Sequence, residues 1–181
     1  MSEYDDTTYE DTGDDAPPPA EDEGNTIVME GTDGSTTYVI DSDSDGYADV
    51  VATDADSDGT IDRAFVDTND DGSLDTLLVD SDDDGTVDTQ YADTDGDGRV
   101  DLVSRDANED GVVDAVIADT DHDGTADTFV RDSDYDGHAD VVVRDADEDG
   151  LVDSVTRDTD HDGTLDTVTY VDPDANPYAS R

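Results

Sequence analysis

The chain has no cysteine and no lysine, few aromatic residues (6 %) and only seven basic side chains, all arginine, against 56 acids. Without cysteine there are no disulfides, zinc–thiolate sites or thiol chemistry, and the redox compartment leaves no mark. With seven arginines, ion pairs within the protein neutralise only a small part of a formal net charge of −49. A 31 % hydrophobic content combined with that charge falls where chains stay unfolded unless something cationic joins the fold. So acidic a surface also repels phosphate backbones and anionic lipid, which argues against nucleic acid and membrane insertion as partners. No run is long and apolar enough for a transmembrane helix. The start, MSEYDDTTYEDTGDD, lacks the features of a secretory signal. The expected location is therefore cytoplasmic, or outside by a non-Sec route.

What is present is a repeat. A thirteen-residue unit, D-x-D-x-D-G-x-x-D-x-x-x-x, runs ten times without insertion or deletion from Asp41 to Tyr170. Position 1 is Asp41, Asp54, Asp67, Asp80, Asp93, Asp106, Asp119, Asp132, Asp145 and Asp158. Position 3 is Asp43, Asp56, Asn69, Asp82, Asp95, Asn108, Asp121, Asp134, Asp147 and Asp160, so the two asparagines still offer an oxygen. Position 5 is Asp45, Asp58, Asp71, Asp84, Asp97, Asp110, Asp123, Asp136, Asp149 and Asp162. Position 9 is Asp49, Asp62, Asp75, Asp88, Asp101, Asp114, Asp127, Asp140, Asp153 and Asp166. Position 6 is always Gly, and position 2 is always Ser, Thr or Ala.

Four oxygen-bearing side chains at positions 1, 3, 5 and 9, with a glycine to allow the sharp turn, are what a hard cation taking six to eight oxygens requires. Solvation alone would demand neither the glycine nor the fixed spacing. Calcium fits best, at about one ion per repeat. Magnesium prefers rigid octahedra and keeps its waters, and lanthanides follow the same hard-oxygen logic. The pattern resembles the EF-hand calcium loop, and more closely the acidic repeats of thrombospondin type 3 and dockerin modules. By that resemblance the first loop would use Asp41, Asp43, Asp45, the carbonyl of Tyr47, and Asp49. Two departures matter: no helices flank the loops, and position 12 never carries the bidentate Glu. The EF-hand opening mechanism is therefore not implied. The missing ligand is expected from water or a neighbouring unit, an arrangement similar to RTX β-rolls.

Positions 10 to 13 are rich in Val, Thr, Ile and Phe and predict a short strand after each loop. Position 8 is always apolar and position 11 nearly so, Gln90 being the exception, and both are expected to face inward. The expected fold is all-β: a calcium-stapled β-solenoid or β-roll of ten repeats, with two units per coil if each turn reverses the chain. The likeness of residues 106–131 to 145–170 admits three units per turn instead. Residues 1–27 are expected to be a disordered acidic tail, 28–40 a degenerate capping repeat, 41–170 the metal-binding array, and 171–181 a C-terminal cap or tail.

No nucleophile constellation or phosphate loop is present, and His122, His138 and His161, at variable loop positions, read as decoration. The chain is not expected to be an enzyme. The functions expected are a calcium-dependent structural or surface spacer, with its protein or surface partner unknown, or a high-capacity calcium buffer. Lower in rank stand a nucleic-acid mimic and an ice-binding surface, whose threonine ladder would be broken at position 7 by Tyr47, Arg99, His138 and Leu151.

Overall fold

Each unit ends in a β-rich tetrapeptide, and in the computed structural model, which describes residues 25–172, each of these becomes a strand. A hairpin of β1 (Asn25–Glu30) and β2 (Thr36–Asp41) opens the sheet. The repeat strands follow: β3 (Val50–Asp54), β4 (Arg63–Val66), β5 (Thr76–Val79), β6 (Thr89–Ala92) and β7 (Leu102–Arg105). They continue as β8 (Ala115–Ala118), β9 (Thr128–Arg131), β10 (Val141–Arg144), β11 (Ser154–Arg157) and β12 (Thr167–Tyr170). No helix occurs among the described residues.

The all-β repeat fold expected from the pattern is present, and every loop does reverse the chain. The twelve strands form one sheet in sequence order, each antiparallel to the next. Strand spacing of about 4.8 Å therefore separates consecutive units, rather than two-unit coils, and the sheet is on the order of 50 Å long. Because direction alternates, loops 26 residues apart stack on the same side of the ribbon, about 10 Å from one another. The three-unit likeness has no counterpart in the pairing and remains a feature of the sequence.

Register divides the two faces. Residues directly across a ladder share a face, so Val51, Phe65, Leu77, Tyr91, Val103, Ile117 and Phe129 form one continuous row. On the opposite face lie Ala52, Thr76, Ala92 and Ser104, the four buried strand residues apart from Asp54. On the first face Phe65, Tyr91, Ile117 and Phe129 are exposed and Val51, Leu77 and Val103 half-buried, while the buried strand residues of the other face are small.

Apolar burial is slight: Ala52 and Ala92 are the only hydrophobic residues buried within the described chain. Position 8 is not buried as expected: Ala48, Ile61 and Ala139 are half-buried and the other seven exposed. Leu74, Val87, Val100, Val113, Val152 and Leu165 are all exposed, because a single sheet offers no second layer to receive them. The expected tail lies outside the described residues except for 25–27, which belong to β1. The expected capping repeat supplies the rest of the first hairpin, while the C-terminal segment lies outside the description beyond Asp172.

Candidate metal centres

The loop is built by its own carboxylates. Asp54 shows the scheme: one oxygen accepts the Ser57 N–H at 2.6 Å and the other the Gly59 N–H at 3.1 Å. Position 1 thereby ties down the backbone of positions 4 and 6. Position 3 accepts the N–H of position 5 and position 5 that of position 7, as in Asp95 with Asp97 (3.0 Å) and Asp97 with Arg99 (2.8 Å). Position 9 closes the loop by accepting from position 2: Thr94 gives both its N–H and its hydroxyl to Asp101 at 2.7 Å. The Ser and Thr preference at position 2 follows from that second bond. It holds Asp49, Asp88, Asp101 and Asp140 below the usual carboxylate range, each through the Ser or Thr hydroxyl first.

Two backbone positions carry positive φ. Position 6 is glycine throughout, with φ of 98° at Gly46 and 84° at Gly163. Position 4 does the same in every unit, although it is Gly only at Gly96; Tyr135 has φ 62° and Glu148 φ 56°. None of the ten residues at position 4 is β-branched, as a left-handed conformation demands. At Gly72, Gly124 and Gly163 glycine has a second cause, since position 7 of a loop two units away lies over it. A Cβ on Gly72 would stand 3.1 Å from the Tyr47 ring, and one on Gly163 3.0 Å from the His138 ring.

At Asp43, Asp45, Asp56 and Asp58 these bonds engage one carboxylate oxygen and leave the other for a ligand. Asn69 and Asn108 have a single side-chain oxygen, already bonded, and Asp75, Asp127 and Asp166 accept on both. Asp41, Asp43 and Asp45 bring carboxylate oxygens within 4.8 Å of one another; so do Asp54, Asp56 and Asp58, and Asp80, Asp82 and Asp88. Ten further groups of potential ligand residues meet the same 4.8 Å criterion, among them the two Asp–Asp–His groups of Asp95, Asp101 and His122 and of Asp134, Asp140 and His161. Buried carboxylate oxygens without any hydrogen-bond partner occur on Asp41, Asp83, Asp145 and Asp153. An orphaned buried carboxylate oxygen is costly unless a cation satisfies it. The donor set therefore fits a metal ion.

Loops on one side of the ribbon are joined. The N–H of position 1 donates to the carbonyl of position 9 two units earlier, nine times over at 2.7–3.0 Å, from Asp67 on Asp49 to Val171 on Asp153. Position 4 makes the same step with its side chain. His161 places Nδ1 3.1 Å from both Asp134 and Asp140, and His122 places it 3.3 Å from Asp101 and 3.8 Å from Asp95. Ser57 reaches the carbonyl of Gly34 in the opening hairpin.

Acids at position 4 enter the same place, and their titration registers it. Asp70 is raised by the charges of Asp43, Asp49 and Asp45, Asp83 by burial and then Asp58, Asp56 and Asp62, and Glu109 by Asp82 and Asp84. Glu148 is pushed up to about 7, mainly by sharing a hydrogen bond with Asp123, with burial and Asp121 adding to it.

The side chains that reach into a loop come from two units away rather than from the adjacent unit, because adjacent units lie on opposite sides. Reasoning from the repeat singled out positions 1, 3, 5 and 9 but passed over position 4. Its signal was there: four acids and two histidines among ten residues, and no β-branched side chain. His122 and His161 are not decoration; His138, at position 7, rests on Gly163 instead. Compared with protein-family models, curated proteins and solved structures, the chain has no match in any of the three.

Proposed function

We propose that this chain is a calcium-binding repeat protein whose folding requires the ion, and that it acts as a stiff, non-enzymatic spacer or binding platform. The observation that carries this reading is the ladder of acidic loops on a sheet with almost no apolar core. Ions at the loops supply the cohesion that a packed interior supplies elsewhere. Calcium suits the all-oxygen donor sets, their irregular geometry and their glycine-gated turn. Ten ions would bring the formal charge from −49 to about −29, leaving the loaded protein acidic and extended in its field.

Calorimetric titration with calcium tests it. A spacer that folds where calcium is plentiful should bind close to one ion per loop, with dissociation constants of roughly 0.1–1 mM. Binding at roughly 1–10 nM would favour the buffer reading instead. A stoichiometry of two or three per chain would contradict both. No helix of the described chain is long and apolar enough to cross a membrane.

A further inference from the structure

Two loops differ from the others in what position 4 delivers to them. The loop beginning at Asp93 receives His122, and the loop beginning at Asp132 receives His161, each from two units on. In both, the imidazole meets the same pair of unit positions, 3 and 9: Asp95 with Asp101, and Asp134 with Asp140. The position-9 carboxylates are 6 % exposed in each case. Ser133 bonds one oxygen of Asp140 and His161 meets the other, whereas at Asp101 the imidazole meets the same oxygen that Thr94 bonds. The arrangement recurs 39 residues apart on opposite sides of the ribbon, and the third histidine, His138, has no share in it.

We propose that these two Asp–Asp–His clusters are sites for a borderline divalent cation such as zinc, distinct in preference from the all-oxygen calcium loops. Imidazole nitrogen suits zinc, nickel and copper, whereas calcium takes oxygen. Ligand atoms on a zinc ion at about 2.0–2.1 Å stand roughly 3.0–3.4 Å from one another. His161 Nδ1 lies 3.1 Å from both carboxylates, His122 Nδ1 lies 3.3 Å from Asp101 and a wider 3.8 Å from Asp95, and the three ligand atoms of each cluster fall within 4.8 Å. The remaining positions around the ion would be filled by water or by the position-1 and position-5 carboxylates. The inference rests on the reading of the loops as metal sites, but it concerns which metal two of them select.

The test uses the full chain in saturating calcium, with zinc as the calorimetric probe and cobalt(II) as its spectroscopic substitute. Two zinc ions per chain should bind at least tenfold more tightly than any others, and cobalt should show a nitrogen-ligand signature. His122→Asn and His161→Asn should each abolish one tight site and the double variant both, while His138→Asn keeps two. Asparagine tolerates the positive φ at position 4, so these variants should keep the loop fold. Tight zinc binding that is absent from the wild type, or that survives unchanged in the double variant, would overturn the proposal and leave the histidines as ion-pair partners. Calcium titration of the double variant separates the two readings. Normal calcium uptake without tight zinc binding in the wild type removes this inference alone, whereas no calcium uptake by either protein removes the function proposed above.

Discussion

At the scale of single residues, the loop asks for two left-handed positions and meets only one of them with glycine. Gly163 has φ 84° and lies under His138, so Gly163→Ala introduces both backbone strain and a close contact. It should cost about 1–3 kcal/mol, read from denaturant unfolding in saturating calcium. Position 4 predicts the opposite sign. Tyr135 holds φ 62° with an exposed ring, so Tyr135→Gly should be neutral or stabilising, and Tyr135→Val should destabilise by about 1–2 kcal/mol in the same assay. If both substitutions at Tyr135 had equal effects, backbone conformation would not be what restricts that position.

At the scale of elements, each loop is hydrogen-bonded to its neighbours two units away, and coupling between sites is expected to follow those bonds. Asp93 donates its N–H to the carbonyl of Asp75, and Asp119 donates to that of Asp101, so the loop of Asp93 is stitched to those of Asp67 and Asp119. Replacing Asp97 and Asp101 with Ala should therefore weaken calcium binding at these two loops and spare those of Asp80 and Asp106 on the other side. The amide signals of Gly72, Gly124, Gly85 and Gly111 in a calcium titration would resolve the four sites. Equal weakening on both sides would mean that coupling passes through the strands.

The loops are also unequal. Asn69 replaces a carboxylate in one loop, whose partner at position 4 is Gly96, and Asn108 in another donates its amide to Asp110. These two loops hold the least negative charge and should be the last to fill as calcium is added. Much of this was legible beforehand. The period gave the strands at positions 10–13, and fixed acids plus glycine gave the loop. Inward-facing apolar positions were misplaced because periodicity shows which residues are alike, not whether a second layer exists to cover them. The partner two units away was hidden for a related reason: whether strands pair in sequence order is a tertiary fact, and it alone decides which loops share a side.

At the scale of the whole molecule, a chain with a net charge of −49 forms a sheet with hardly any buried apolar side chains, and under the proposed function electrostatics governs whether it folds. Without metal, carboxyls such as Glu148, raised to about 7, and Glu109, raised by Asp82, bind protons more tightly folded than unfolded. Their folded pKa lies above the unfolded one, so protonation favours the fold below that range, and this support is lost as pH rises towards 7. The position-9 carboxylates Asp49, Asp88, Asp101 and Asp140 are lowered instead, so the stability they provide is lost as pH falls below about 4. Metal-stripped protein should accordingly show most β-structure near pH 5, less at pH 8 and less again at pH 3 by circular dichroism. A β signal that rises steadily towards pH 8 would oppose this assignment.

That the ions hold the fold together is tested most directly by circular dichroism at neutral pH and low salt, before and after calcium is removed with excess chelator. The β spectrum should collapse towards that of an unfolded chain and return when calcium is restored, whereas a β spectrum unchanged in excess chelator would contradict the account.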